Sequence, residues 1–277
     1  MLELINAERA EAGSQPLAFN GDLNEAAEDH SQWMLATDIF SHTGQGGSTA
    51  GQRMAAAGYS FTGSWTRGEN IGWGSLRSPS GYQDDVEARH TSLMNSTGHR
   101  ANILSDGFEE IGIGFEVGSF KGYQSSIVTQ NFARSGTGSF VTGVAFDDQD
   151  GDRFYDPGEG LGGLSVSISG SSGTYTTTTM ASGGYQQKLA AGTYTVTFSG
   201  EGIATSTHQV TVGSKNVKLD LVDPAAGGGE PAPSDPDPVE GTSVMKSLIA
   251  DVSVTNTDNE AGYARIGLTV PVNLDAQ

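Results

Sequence analysis

The hydrophobic pattern changes its period near residue 138, and this change limits the possible folds more than any other feature of the sequence. Before that point, apolar residues recur at helical spacing in residues 23–34 and alternate with small or polar residues in residues 111–117. After it, up to residue 222, short strand-like runs follow one another with turn residues between them. The sequence therefore predicts an α+β chain, in which a mixed α/β domain precedes an all-β sandwich.

The same composition shifts divide the chain into four parts. Residues 1–138 form the predicted mixed domain, and residues 139–222 form the predicted β-sandwich module. Residues 223–241 are rich in proline, glycine and acids, which is typical of an extended linker. Residues 242–277 contain strand-like pieces but are too few to hold a core of their own. They are either the start of a further β module or a strand pair that docks elsewhere.

The charge balance excludes two classes of partner. The chain has 14 lysines and arginines against 33 acids, so its net charge is −19. A surface of this sign repels phosphate backbones and anionic headgroups, so we expect no nucleic-acid partner and no binding to membranes through charge. No apolar run is long enough to predict a transmembrane segment.

The absence of cysteine excludes disulfides, thiol catalysis and cysteine-ligated metals. Small secreted eukaryotic domains usually depend on disulfides, so the composition indicates a bacterial protein. An amphipathic helix pattern, and not a signal peptide, follows Met1 directly, which leaves a trimmed start or a C-terminal export signal as alternatives. We expect a monomer that is secreted or held at the bacterial cell surface.

The run DQDGDRFYDPGE has the spacing of a calcium loop. Its acids stand at positions 1, 3, 5, 9 and 12 of the run, as Asp148, Asp150, Asp152, Asp156 and Glu159. Phe154 at position 7 would contribute its backbone carbonyl, and Glu159 can bind a cation through both oxygens. Arg153 occupies position 6, where such loops usually have glycine. An acidic, solvated turn is the alternative, but five acids in register favour Ca²⁺.

This loop belongs to a longer pattern, VTGVAFDDQDGDRFYDPGEGLGGLSVSISG followed by SGGYQQKLAAGTYTVTFSG. The pattern resembles the B-type repeats of bacterial serine-aspartate surface adhesins. It is also similar to the wider prealbumin-like and carboxypeptidase-regulatory-like group. The resemblance implies a seven-stranded, immunoglobulin-like sandwich that serves as a calcium-stiffened spacer and has no catalytic role.

The first domain contains four of the chain's five histidines. His30 and His90 lie on apolar faces of predicted helices, which favours hydrogen-bonded core residues. His42 in FSHTG and His99 in STGHRANIL adjoin glycines in predicted loops or turns, where a side chain can reach a cleft. Glu69 lies in the turn-rich segment GENIG. The sequence therefore predicts that His42, Glu69 and His99 share a cleft.

Six segments in order carry a second resemblance: LELINAERAEAG, QPLAFNGDLNEAAEDHSQWM, FSHTG, GENIG, SLMNSTGHRANIL and EIGIGFEV. Together they resemble the CAP superfamily of cysteine-rich secretory proteins, antigen 5 and plant pathogenesis-related proteins. The resemblance covers residues 1–134 and is closest to cysteine-free bacterial members. It implies an α-β-α sandwich with a central cleft.

In that superfamily two histidines and two acids line the cleft, and the histidines can hold Zn²⁺ or another divalent metal. The resemblance places the histidines at His42 and His99 and the first acid at Glu69. The second acid falls near Ser96, which has no carboxylate, so one member of the set is missing. Two acids of the preceding helix remain as substitutes: Asp85 and Glu87.

Three functions remain open at this point. The first is an extracellular binding module for a small apolar ligand, a peptide or a protein, and it implies no enzyme activity. The second is a metal-assisted, peptidase-like hydrolase in which His42, His99 and Glu69 are catalytic, with Glu69 either a general base or a group that orients a histidine. The third is a structural part of a larger adhesin, in which a polar cleft only braces the loops.

Overall fold

The protein is described by a computed structural model that covers residues 1–77 and 81–227. The predicted linker over 223–241 lies mostly outside the described residues, and the predicted partial β segment over 242–277 lies entirely outside them. Within the described parts of the chain, no helix has the length and apolar character needed to cross a bilayer.

The first domain has three layers, with a sheet between two groups of helices. Its elements are α1 (Leu2–Glu11), β1 (Ala18–Phe19), α2 (Gly21–Thr37), α3 (Ala50–Ala56), β2 (Trp65–Ser75), α4 (Tyr82–Met94), α5 (Thr97–Ile103), β3 (Glu110–Phe120) and β4 (Tyr123–Ser135). The strands are ordered β1-β3-β4-β2, and only the short β1–β3 pair is parallel.

Separate hydrophobic clusters cover the two faces of this sheet. Phe132 and Ala133 are neighbours on β4, so their side chains point to opposite faces. Ala133 packs with Leu23 of α2 and Met54 of α3. Phe132 belongs to the other core, together with residues of α1, α4 and α5. The cleft residues predicted from sequence lie at the ends and edges of these layers.

Helix α2 begins directly where strand β1 ends, and asparagines make the transition. Asn20 continues the strand ladder by donating its N–H to the Ile111 carbonyl, and its side chain caps the helix by accepting from Leu23 N at 3.0 Å. Asn20 stands directly before the helical pattern of residues 23–34, so the sequence predicts this cap, and the structure confirms it. One turn later, Asn24 Oδ1 accepts from Ile113 N at 3.1 Å. The side-chain amide thus takes the place of a further strand partner for β3.

Helix α2 also touches the backbone of β3 at two glycines. A Cβ atom on Gly112 would lie 2.1 Å from backbone atoms of Leu23 and Asn24. A Cβ atom on Gly114 would lie 2.2 Å from the carbonyl carbon of Ala27. Only glycine permits this approach of helix to sheet.

The second domain is a sandwich of short strands. They are β5 (Ser139–Phe146), β6 (Ser165–Gly170), β7 (Gly173–Thr178), β8 (Gly184–Leu189), β9 (Gly192–Ser199), β10 (Ser206–Val212), β11 (Val217–Lys218) and β12 (Leu221–Val222). One sheet has the order β10-β9-β6-β7, and the other is built around β5, which pairs with β8, β11 and β12. Buried residues of both sheets form the core, among them Val141, Val166 and Phe198.

The run VKLDL at 217–221 predicts a single last strand, and this prediction is wrong in one respect, because the structure divides the run into β11 and β12. Both pieces run parallel to β5. Between them Leu219 N donates to the Thr142 carbonyl, and Asp220 Oδ1 accepts from Val144 N at 2.9 Å. A side chain replaces one backbone contact of the ladder there. The described part of the second domain consequently has eight strands, whereas the resemblance implied seven.

Asn216 joins the two domains. Its side chain is buried and donates to the carbonyls of Pro16 and Glu109, at 2.9 and 2.7 Å. Its amide oxygen accepts from Phe140 N, and its backbone N–H donates to Gln15 Oε1, both at 2.8 Å. The start of β5, the turn before β11 and two loops of the first domain therefore meet at one residue.

Gly112→Ala is expected to destabilise the protein, since the added methyl group would overlap the backbone of α2. We expect the free energy of unfolding to fall by about 3 kcal/mol. Gly118→Ala is the matched control in the same strand, because its Cβ would lie 3.4 Å from Leu35 Cδ1, an ordinary contact. Chemical denaturation of both variants measures the difference, and equal stabilities would contradict the close approach.

Candidate functional site

Glu69 is at the centre of a small ionic network. Its Oε1 is 2.8 Å from Nδ1 of His42, and its Oε2 is 2.5 Å from a terminal nitrogen of Arg53. The carboxylate of Glu69 is 5% exposed, whereas the His42 ring is 59% exposed. Arg53 also donates to the His42 carbonyl at 3.2 Å, so one guanidinium contacts both the histidine's backbone and its carboxylate partner.

The placement of Glu69 corrects the prediction of a turn at GENIG. Glu69 lies in the middle of β2, which pairs residue for residue with β4 over its whole length. The glycines on either side favour a turn. In the structure, however, the backbone groups of this segment are hydrogen-bonded to β4 in an antiparallel ladder. A strand is a more rigid base for the carboxylate than a turn.

His99 was predicted at a turn, but it lies within helix α5, which starts one residue after Ser96. Buried amides tie this helix to β2. Asn70, next to Glu69, donates to the His99 carbonyl at 3.1 Å, and Asn102 donates to Asn70 Oδ1 at 2.9 Å. The network therefore fixes the backbone of His99 relative to Glu69.

The structure brings His99 near His42 but not into a closed group of three ligands. Burial lowers the pKa of His99, and the nearby His42 lowers it further. Within residues 1–77 and 81–227, no set of three ligand atoms that includes these histidines lies within 4.8 Å. Of the two histidines, His42 is the one that is hydrogen-bonded to Glu69 in the part of the chain described.

The two substitute acids do not complete the cleft. Asp85 is buried and accepts from the backbone N–H of Arg77 at 3.1 Å. Glu87 contacts Gln83 and lines a cavity between the two domains. Both hypotheses for the missing acid therefore lose support, because neither carboxylate has a recorded contact with His42 or His99.

His30 and His90 are core residues, as predicted. His30 is 1% exposed, and its Nε2 donates to the Ser41 carbonyl at 3.0 Å. Burial, followed by the charge of Arg53, lowers the pKa of His30 to about 4. His90 is also buried and lies 3.7 Å from Glu8, and burial lowers its pKa as well. Both rings are buried, and His30 lies close enough to Arg53, Glu69 and His42 for their charges to act on its pKa.

The acidic run of the second domain folds into a compact loop between β5 and β6. Asp148, Asp150 and Asp152 each offer a carboxylate oxygen within 4.8 Å of the others. Glu159 is buried and accepts from the N–H groups of Gln149 and Asp156 with its two oxygens. The first and last acids of the run therefore lie in one loop, as the spacing predicts.

Arg153 is the one residue of this loop that departs from the expected pattern, and its backbone conformation fits the loop. Arg153 has a φ of 62°, which is the left-handed conformation that glycine adopts at this position in such loops. Its N–H donates to Asp148 Oδ2 at 2.8 Å. Burial and then the neighbouring acids Asp150, Asp152 and Glu159 raise the pKa of Asp156. The carboxylates thus repel one another as they stand.

Sequence reasoning missed three residues of the cleft, namely Arg53, Asn70 and Asn102. The two asparagines stand beside predicted site residues in GENIG and HRANIL, so proximity to a motif was a usable signal. No such signal marked Arg53, which reaches Glu69 from helix α3. Its role depends on how α3 packs.

A pH-dependent loss of stability is expected from His30. Its pKa is about 4 in the folded chain and 6.5 in the unfolded chain, so only the unfolded chain binds the proton between these values. The contribution to stability is complete above pH 6.5, falls as the pH drops through this window and is constant below pH 4. Relative to His30→Gln, the parent should lose roughly 3 kcal/mol between pH 7 and 4.

Denaturant unfolding at a series of pH values measures this difference. His208→Gln, on β10 of the second domain, is the control and should leave the pH dependence unchanged. An equal pH dependence in His30→Gln and in the parent would contradict a buried neutral ring.

Two family models match the chain. Residues 2–132 match the cysteine-rich secretory protein family, abbreviated CAP, and residues 155–222 match the carboxypeptidase regulatory-like domain. The two matched ranges correspond to the mixed domain and to most of the β-sandwich. They confirm the predicted order of domain types.

Individual relatives resemble only part of the chain. An uncharacterized protein of Bacillus subtilis strain 168, YkwD, is 36% identical over 115 residues, which are 42% of this chain and 40% of the relative. A crystal structure of an extracellular, SCP-domain protein from Bacillus anthracis is 29% identical, with a TM-score of 0.37, over 48% of this chain and 38% of that one. A cysteine-rich secretory protein of Staphylococcus aureus is 25% identical, with a TM-score of 0.31, over 46% and 36%.

The chain therefore spans less than half the length of these relatives. The fold assignment rests on the family models and on the layers described above. The predicted fold class is confirmed: an α-β-α sandwich over the residues that match the CAP model is followed by an all-β domain over the residues that match the carboxypeptidase regulatory-like model.

Proposed function

We propose that this chain acts outside the bacterial cell as a binding module, in which His42 and His99 of the CAP domain hold a zinc-type divalent ion. The hydrogen bond between His42 Nδ1 and Glu69 carries the proposal. A carboxylate can only accept, so Nδ1 carries a proton, and in the neutral ring Nε2 then has its lone pair available for a metal. The ring is mostly exposed, so the ion can reach it.

The state of His99 supports the same site. Its lowered pKa keeps the ring neutral near pH 7, and a neutral imidazole is the form that binds metal. Two histidines fill only two positions of the tetrahedral coordination that zinc prefers. The remaining positions would be taken by water or by a polar group of the bound molecule, which is a small ligand, a peptide or a protein partner.

A metal-assisted hydrolase is the less favoured function. A general base needs an oxygen that is free to take a proton from bound water. Both oxygens of Glu69 are already engaged, one by His42 and one by Arg53, and the carboxylate is almost fully buried. Glu69 therefore fits the role of orienting His42 better than the role of a base.

An extracellular location has indirect support. The Bacillus anthracis relative is described as extracellular, and the strongly acidic, cysteine-free chain fits a secreted bacterial protein. We propose the same location for this chain. Fractionation of the native organism would place it in the medium or at the surface, and recovery from the cytoplasm alone would overturn the assignment.

Zinc binding is expected to depend on both rings. His42→Ala and His99→Ala should each weaken Zn²⁺ binding at pH 7 by more than tenfold, because each removes one of only two protein ligands. Glu69→Gln should weaken it by about tenfold, since a neutral amide orients His42 less well and lowers its basicity. Calorimetric titration measures the three affinities.

His208→Ala is the control, since this histidine lies in the second domain. Zinc affinity that is equal in the parent and in the double variant of His42 and His99 would end the proposal. Zinc-dependent peptide cleavage that is lost in both histidine variants and in Glu69→Gln would replace it with the hydrolase.

We also propose that the second domain is a spacer stiffened by Ca²⁺ in the loop from Asp148 to Glu159. The clustered oxygens of three aspartates and the glycine-like backbone of Arg153 support this assignment. A divalent cation would relieve the repulsion among the acids that raises the pKa of Asp156. The B-type adhesin repeats, which this domain resembles, motivate the spacer role.

Calcium is expected to raise the melting temperature of the second domain, because it binds the folded loop only. Glu159→Gln should weaken Ca²⁺ binding by at least about tenfold, since it removes a charge and a ligand at the last position. Glu201→Gln, an exposed acid of the same domain outside the loop, is the matched control. Equal melting temperatures in calcium and in chelator would count against the site.

A further inference from the structure

A cavity of about 720 Å³ lies between the two domains, remote from the His42 cleft in the fold. The first domain contributes the start of α1, Phe19 and the first turns of α4. The second domain contributes the middle of β5, the segment 154–157 and the start of β8. The volume is in the range of cavities that hold small organic molecules.

Aromatic and aliphatic side chains make up most of the wall. Five rings line the cavity: Phe19, Tyr82, Phe154, Tyr155 and Tyr185. Tyr185 is fully buried and its hydroxyl donates to the Leu219 carbonyl, so its polar group is not turned toward the cavity. Leu2, Leu4 and Val86 are only partly buried although they lie at the interface of two domains. Apolar surface is therefore available there to a ligand.

The charged side chains of the lining are all acidic. Glu3, Glu87 and Asp156 line the cavity, and no lysine, arginine or histidine does. Glu3 is paired at 2.9 Å with Lys218, and Asp156 belongs to the proposed calcium loop. Glu87 is exposed, and its recorded hydrogen bond is a long one of 3.4 Å from Gln83. The carboxylate of Glu87 is thus the acid best placed for an incoming cation.

The amino group of Met1 is the only other ionisable group at the cavity among the described residues apart from the tyrosines. Burial lowers its pKa, while Glu3 and Glu87 act in the opposite direction. An ammonium there would offset one of these negative charges and Lys218 offsets that of Glu3, so the attraction for a ligand cation depends mainly on Glu87 and the aromatic faces. Aromatic faces also attract cations, most strongly when both are desolvated.

We propose that this interdomain cavity binds a small organic cation with a hydrocarbon body, such as an alkyl amine or a quaternary ammonium compound. The hydrocarbon body contacts the apolar wall formed by α1 and α4. The cationic group lies toward Glu87 and the aromatic rings. The site needs both domains, because neither encloses the cavity alone.

The test uses octyltrimethylammonium, 1-octanol and octanoate, which share one hydrocarbon chain and differ in charge. Calorimetric titration into the full chain, in buffer with calcium, should show saturable binding of the cation. The alcohol should bind about tenfold more weakly and the carboxylate not measurably. Binding of octanoate that equals or exceeds that of the cation would overturn the proposal.

Three variants test the location. Val86→Trp should abolish binding by filling the cavity, and Tyr82→Ala should weaken it by removing a ring that is 48% exposed. Glu87→Gln should weaken binding of the cation by about fivefold and leave the alcohol unchanged. Glu11→Gln, an exposed acid at the far end of α1, is the matched control.

Tyr82→Ala remains decisive where Val86→Trp does not fold, since truncation of an exposed ring leaves the core intact. Unchanged cation binding in folded Val86→Trp, or in Tyr82→Ala and Glu87→Gln together, would show that the cation binds elsewhere and would overturn the assignment. Loss of zinc binding in the His42 cleft has no bearing on this outcome, because the two sites share no residue.

Discussion

The orientation of the two domains depends on the buried amide of Asn216. Its side chain is hydrogen-bonded to backbone groups of both domains, the carbonyls of Pro16 and Glu109 and the N–H of Phe140, and its own N–H donates to Gln15. A buried backbone group without a partner costs about 1–3 kcal/mol, so the junction is stable only in the geometry that satisfies all of them. The cavity between the domains, and the position of the loop from Asp148 to Glu159 against the CAP domain, follow from that geometry.

A buried asparagine amide also connects the elements of the cleft. Asn70 is completely buried and connects β2, which carries Glu69, to α5, which carries His99. Glu69 in turn connects β2 to the loop of His42 and to α3 through Arg53. A strand, two helices and a loop are thus fixed by side chains whose polar groups are nearly all engaged. The side chains beneath this cleft are therefore held in place by their hydrogen bonds, whereas the His42 ring is exposed to solvent.

The sequence predicted the fold class and the layers because the period of the hydrophobic pattern depends directly on which residues are buried. It predicted the cap of α2 for a similarly local reason, since Asn20 acts on an N–H three residues away. Glu69 and His99 were predicted in turns because glycines surround them in the sequence. They lie in β2 and α5 instead, because the pairing of β2 with β4 and the docking of α5 depend on residues far away along the chain. Arg53 was missed for the same reason, because its contact with Glu69 depends on how helix α3 packs against β2.

The segment 154–157 is at once part of the acidic loop and part of the cavity wall. Occupants of two sites that share a wall cannot be thermodynamically independent if either of them orders that wall. Reciprocity then requires that a cation in the loop and a molecule in the cavity change each other's affinity by the same factor. A change in the cation concentration around the second domain would accordingly change the affinity of the interdomain cavity for its ligand. The second domain would then do more than act as a spacer.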